Sequence, residues 1–140
     1  MPRLEHANLI VRDLDAMVRF ITTAFPDFLV RGGGTHEGRR WLHIGTDESY
    51  LALSEATREP AERWVPYEGT PGLNHLGFEV ENVRALRERM QTAGYEDSTV
   101  GNVHPHRRRV YFHDPEGNDW EFVEYLSARP DERNDYALPD

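Results

Sequence analysis

With 140 residues, the chain has the length of one domain and can bury a single core. A formal net charge of −9 and one short basic cluster, Arg107-Arg108-Arg109, exclude nucleic acid as a partner, and no apolar run approaches the roughly 20 residues of a membrane span. The absence of cysteine excludes disulfides and thiolate chemistry, and the amino terminus lacks the charged, apolar, small-residue order of a secretory leader, so the cytoplasm is the expected compartment.

Residues 4–11 alternate as a strand. Asp13 then offers an N-cap to a helix over residues 14–24, with Leu14, Met17, Val18 and Ile21 at helical spacing and Pro26 beyond its end. Short strands are expected over 28–31, 39–44 and 50–54, separated by Gly32-Gly33-Gly34 and by Gly45-Thr46-Asp47. This is a β-α-β-β-β order over about residues 3–54. Residues 55–72 read as a connector in which Trp64 has no evident partner.

The order then recurs over about residues 73–125. Laying His75 over His6 puts Leu73 on Leu4, Val80 on Val11, Asn82 on Asp13, Leu86 on Met17 and Met90 on Ile21, so strand, cap and helix face repeat together. Gly94 ends the second helix, and strands are expected over 97–103, 107–112 and 120–125. Between the last two, Asp114 to Asn118 carries the turn-forming Pro115 and Gly117. The tail, 126–140, is polar and aperiodic: it either wraps a partner, with Tyr136 as the anchor, or stays loose. The expected fold is α+β, two βαβββ modules with concave mixed sheets, and one such module cannot cover its own sheet, so modules must pair.

Alternation assigns two rows to each strand. One row is apolar and belongs under the helices: Ala7, Leu9, Val11; Leu42, Ile44; Leu51, Leu53; Leu76, Phe78, Val80; Val110, Phe112; Trp120, Phe122. The opposite row holds His6, Asn8, Trp41, His43, Tyr50, Ala52, Ser54, His75, Gly77, Glu79, Arg107, Arg109, Tyr111, His113 and Glu121. Histidines, arginines and aromatics in place of Lys, Glu and Thr mark the lining of a pocket. Of the last strand's carboxylates, Glu124 shares the helix-side row, whereas Glu121 shares the row of the two repeated histidines. Two imidazoles and a carboxylate on neighbouring strands, His6, His75 and Glu121, make a set suited to one divalent Fe, Mn, Ni, Co or Zn ion with positions left for substrate.

These residues resemble the vicinal oxygen chelate superfamily, which includes glyoxalase I, extradiol dioxygenases, fosfomycin-resistance enzymes and bleomycin-binding proteins. The resemblance runs from Leu4-Glu5-His6-Ala7-Asn8 through Leu73-Asn74-His75-Leu76-Gly77-Phe78 to Asp114-Pro115-Glu116-Gly117-Asn118-Asp119-Trp120-Glu121. It implies that the first-strand histidine of each module and the carboxylate after the Asp-Pro-x-Gly turn ligate a metal, again His6, His75 and Glu121. It also implies a homodimer with sites shared between modules. In one respect the chain departs from the glyoxalase I pattern: Ala52 stands where a fourth ligand would be. A three-ligand site is more like the dioxygenase or fosfomycin branch.

The expected function is a divalent-metal-dependent enzyme acting on a small substrate chelated through adjacent oxygens, dioxygenase-like or a glyoxalase-like lyase or isomerase. Its alternative is a metal-free binding protein that sequesters a ligand, as bleomycin binders do. Glu79, His43 and Tyr111 are candidates for proton transfer. Asn8, Trp41, Tyr50, Ala52, Ser54, Arg107, Arg109 and His113 are candidates for substrate contact, although the arginines equally suit salt bridges at a sheet edge.

Overall fold

Asp13 and Asn82 perform the same task at the two places where strand gives way to helix. Each accepts from the amide three residues on, Ala16 N at 2.8 Å and Ala85 N at 2.9 Å, and so satisfies an otherwise unpaired helical donor. The helices that follow, α1 (Leu14–Ala24) and α2 (Val83–Thr92), bury the faces their spacing marks: Leu14, Met17, Phe20, Ile21 and Ala24 in one, Val83, Leu86 and Met90 in the other. In the second, Glu124 also accepts from Val83 N at 3.1 Å, which gives this helix-side carboxylate a structural role.

The computed structural model describes every residue except 61, 63, 64, 70, 102 and 140, so Trp64 lies outside the described residues. The chain divides into two units, Met1–Trp64 and Val65–Asp140. In the first, β1 (His6–Val11), β2 (Leu29–His36), β3 (Arg39–Gly45) and β4 (Tyr50–Glu55) form a sheet in the order β1-β4-β3-β2, with β1 parallel to β4. In the second, β5 (His75–Glu79), β6 (Arg107–His113) and β7 (Asp119–Tyr125) follow the order β5-β7-β6, with β5 parallel to β7. Helix α1 packs on β3 and β4, and α2 on β6 and β7. Ile44, Leu51 and Leu53 lie fully buried in the first unit, Phe112, Trp120 and Phe122 in the second, as the apolar rows require.

The turn between β6 and β7 is organised by one side chain. Asp114 is buried and accepts from Glu116 N, Asn118 N, Asn118 Nδ2 and Trp120 Nε1, all within 2.9 Å. The turn chemistry and the core therefore meet in a single carboxylate: it closes the Pro115-Gly117 reversal and satisfies the indole of a tryptophan with no solvent exposure.

Three expectations are corrected. The glycine run 32–34 does not separate strands but lies within β2, which continues to His36 past a register shift between Val30 and Gly32; the reversal comes at Glu37 and Gly38, both with positive φ. Glycine fits there because a Cβ on Gly33 would stand 2.7 Å from the Trp41 carbonyl. The described residues of 97–103 form no strand; one bridge, Asp97 to Phe112, marks the place. Two backbone bonds hold that bridge, Ser98 N to the Tyr111 carbonyl at 2.9 Å and His113 N to the Glu96 carbonyl at 3.1 Å, and side chains take over beyond it: Asp97 accepts from Thr99 N, and the Thr99 hydroxyl accepts from Tyr111 N at 3.0 Å. Of the two readings of the tail, the loose one is corrected among its described residues. The tail forms a short helix, α3 (Pro130–Arg133), and is fastened to its own unit by Arg133 to Glu79 at 2.9 Å, by Arg133 over the Tyr125 ring, and by His104 Nε2 to the Asp135 carbonyl at 3.0 Å.

Candidate metal centre

The parallel registers put β5 and β7 side by side with His75 opposite Asp119 and Gly77 opposite Glu121. Glu121 leans back along the sheet, and its Oε2 lies 3.0 Å from His75 Nε2. The other carboxylate oxygen faces Arg109, whose Nη1 is 3.7 Å from Oε1 and donates to the Tyr111 hydroxyl at 3.2 Å. Tyr111 stands edge-on to the His75 ring, centroids 5.9 Å apart. Burial and the neighbouring Glu121 carboxylate push its phenol up to about 12, so it is a neutral donor and acceptor at physiological pH. Four residues of the chemical row, His75, Glu121, Arg109 and Tyr111, thus converge in the second unit.

The far side of the His75 ring is also engaged. The Tyr67 hydroxyl is 3.1 Å from Nδ1 and donates to Asp119 Oδ2 at 2.8 Å. Burial of the hydroxyl and the charge of Asp119 push this phenol upward as well. Asp119, itself buried, also accepts from Ser98 Oγ at 2.8 Å, and His113 Nε2 lies 3.7 Å from it, with His113 Nδ1 3.3 Å from Glu96. At the other end of the same face, Glu79 is held by Arg133, and Arg107 is buried with its guanidinium 6.0 Å from the Tyr136 ring.

In the first unit, the row forms an aromatic file. His6 stacks on Tyr50 at 4.8 Å, His43 stacks on Tyr50 at 4.7 Å, and Trp41 meets His43 edge-on at 5.4 Å. The Arg31 guanidinium lies 4.2 Å from the Tyr50 ring centre, a cation–π contact. His6 Nδ1 pairs with its exposed neighbour Glu5 at 2.9 Å. Ala52 is buried opposite the exposed Asn8, and Ser54 faces Trp41 across β3. Among the described residues, no three His, Asp or Glu side chains cluster as a ready metal cage. The second unit supplies a pair, and His6 stands on the first.

A family model for the Glyoxalase/Bleomycin resistance protein/Dioxygenase superfamily matches residues 3–122. The chain belongs to this superfamily. Solved structures of superfamily proteins share its fold. A glyoxylase/bleomycin resistance protein/dioxygenase domain from Frankia sp. EAN1pec is 24% identical with a TM-score of 0.75, covering 92% of this chain and 96% of that one. The fosfomycin resistance protein FosX from Mesorhizobium loti is 21% identical with a TM-score of 0.67, covering 95% and 97%. A variant of FosX from Listeria monocytogenes, solved with Mn(II) and dihydroxypropylphosphonic acid, is 18% identical with a TM-score of 0.69, covering 95% and 98%. No curated protein matches the chain. Among the described residues, no helix is long and apolar enough to cross a membrane.

The donor atoms of this superfamily member fit a divalent cation. An imidazole nitrogen and a carboxylate oxygen face each other at 3.0 Å, while the second imidazole nitrogen and the second oxygen are occupied by Tyr67 and Arg109. Tyr67, Asp119, Ser98 and Arg31 escape the sequence reading. Asp119 is recoverable, since extending the last strand back by one residue adds it to the Glu121 row. Tyr67 lies in the connector with φ of 66°, and Arg31 lies within the register shift between Val30 and Gly32, so periodicity reaches neither.

Proposed function

We propose that the protein is a cytoplasmic, divalent-metal-dependent enzyme of the glyoxalase/dioxygenase type, acting on a small substrate that presents adjacent oxygens. The observation that carries this reading is the 3.0 Å approach of His75 Nε2 to Glu121 Oε2 with the remaining atoms of both groups already engaged. His75, Glu121 and His6 would hold the ion, which supplies Lewis-acid stabilisation of charge on a substrate oxygen. Arg109 offers a cation beside that position for an anionic substrate group. Tyr111, kept neutral, donates to or accepts from a substrate oxygen without leaving a charge in the site. The face between Glu79 and Arg107 is bounded by the tail through Arg133 and Tyr136.

His6 belongs to a first module, and β1 and β5 each have a partner on one side only within their own sheets. We place the completing module on a second copy of the chain, giving a homodimer with two equivalent sites. Light scattering at micromolar concentration tests this: a monomer that binds metal stoichiometrically would overturn it.

Protein purified without an affinity tag is expected to contain stoichiometric iron, manganese, nickel, cobalt or zinc, and Glu121→Gln to lose metal and activity together. Full metal occupancy in Glu121→Gln would sink the ligand assignment. A second reading draws on the aromatic file of Trp41, His43 and Tyr50, which suits a flat ligand held without metal. Unchanged ligand affinity after chelation would favour it.

A further inference from the structure

The contacts around His75 fix where its protons can be. Tyr67 Oη has one proton, and its short bond to the Asp119 carboxylate, 2.8 Å, uses it. Asp119 accepts at both oxygens, from Tyr67 at one and from the Ser98 hydroxyl at the other. The remaining contact of Oη, 3.1 Å to His75 Nδ1, is then satisfied only if Nδ1 donates. With Nδ1 committed as a donor, Nε2 meets the Glu121 carboxylate at 3.0 Å either through a second N–H or, once a cation lies between the two groups, through its lone pair.

The backbone of Tyr67 is independent support. Its φ of 66° lies in the left-handed region, which a bulky side chain adopts only when its surroundings enforce it. Here Asn74, the residue before His75, accepts from Tyr67 N at 2.7 Å and ties the connector to the start of β5. Strain is tolerated at a residue that is 60% exposed and whose ring adds little to the core, so the hydroxyl is what the conformation serves.

We propose that Tyr67, anchored on Asp119, is a positioning residue that holds His75 Nδ1 as a donor and thereby presents Nε2 to Glu121 as the coordinating atom. Its consequence for metal affinity rests on the function proposed above; its consequence for the proton on His75 does not. The connector between the modules is, on this account, part of the site.

Two measurements test it. In metal-free, 15N-labelled Glu121→Gln protein at roughly pH 9, above the ordinary imidazole range, long-range nitrogen–proton spectra should show the His75 proton on Nδ1. Adding Tyr67→Phe, which keeps the ring and deletes Oη, should move it to Nε2. A bare Nδ1 before Tyr67 is changed would overturn the proposal. In the otherwise unaltered chain, Tyr67→Phe should weaken Mn(II) and Zn(II) binding by about 10–100-fold, and a change below about twofold in a chain that binds metal would likewise overturn it. If the parent chain binds neither ion, the metal reading fails while the spectra still decide the role of Tyr67. Because the ring is exposed, the phenylalanine variant should retain the parent's far-ultraviolet spectrum.

Discussion

His6 and His75 hold equivalent places in two equivalent modules, yet their surroundings have little in common. Register makes the equivalence explicit: His6 pairs with Tyr50 and Asn8 with Ala52 in one unit, as His75 pairs with Asp119 and Gly77 with Glu121 in the other. The positions that hold two carboxylates in the second unit hold an aromatic ring and a methyl group in the first. His6 is accordingly an exposed ring stacked on Tyr50, whereas His75 is a half-buried ring held at both nitrogens. The repeat transmits a backbone place and a row. The chemistry at that place comes from the neighbouring strand and, for His75, from a connector outside the repeat.

The largest test of this contrast is Glu121→Gln, expected to abolish stoichiometric metal by elemental analysis, since it removes the group that distinguishes the His75 position from the His6 position. Next come the two strand-joining turns. Asp114→Ala strips four hydrogen bonds and orphans the buried Trp120 indole, and urea unfolding should show a loss of about 2–4 kcal/mol. Thr46→Ala in the first module removes only exposed contacts to the Ser49 carbonyl and to the Glu48 and Ser49 amides, and should stay within about 0.5 kcal/mol.

An effect between those two separates the modules at the strand that, among the described residues, only the first possesses. At Asp97, burial raises the carboxyl's pKa, but the Thr99 bonds and Arg87 outweigh it and hold the group below its ordinary range. A carboxyl lowered in the folded state stabilises the fold above its unfolded value of roughly 4 and loses that contribution as pH falls through the folded value. Asp97→Asn should therefore cost on the order of 1 kcal/mol at neutral pH and flatten the acid limb of the stability–pH profile. The smallest change is expected at His6 itself: Glu5→Gln breaks an exposed pair and should leave both metal content and midpoint unaltered.

Much of the fold is legible because its signals are local. Asp13 and Asn82 cap the amide three residues on, directly before an apolar-periodic run, and the period-2 rows sort Glu121 from Glu124 because the two strand faces are chemically distinct. Signals fail where a side chain does the work of a backbone. Thr99 substitutes for a strand's carbonyl, so a weakly β-prone stretch is held against β6 by one bridge. The glycine run reads as a break, yet it keeps its place in β2 because the neighbouring strand approaches too closely for a Cβ at Gly33. Arg133 and Glu79 lie 54 residues apart, and nothing periodic links them, so the docking of the tail has no sequence trace. The candidate site divides in the same way: His75, Glu121, Arg109 and Tyr111 follow from alternation, while Tyr67 depends on a left-handed residue that no pattern announces.

That left-handed residue sets two kinds of selection against each other. A non-glycine side chain in this region costs about 1–2 kcal/mol, and glycine or asparagine would relieve it. Laboratory evolution for heat resistance alone should therefore drift away from tyrosine at position 67, whereas evolution that also demands turnover should retain it. Two lineages started from this chain would part at a single codon in the segment between its modules.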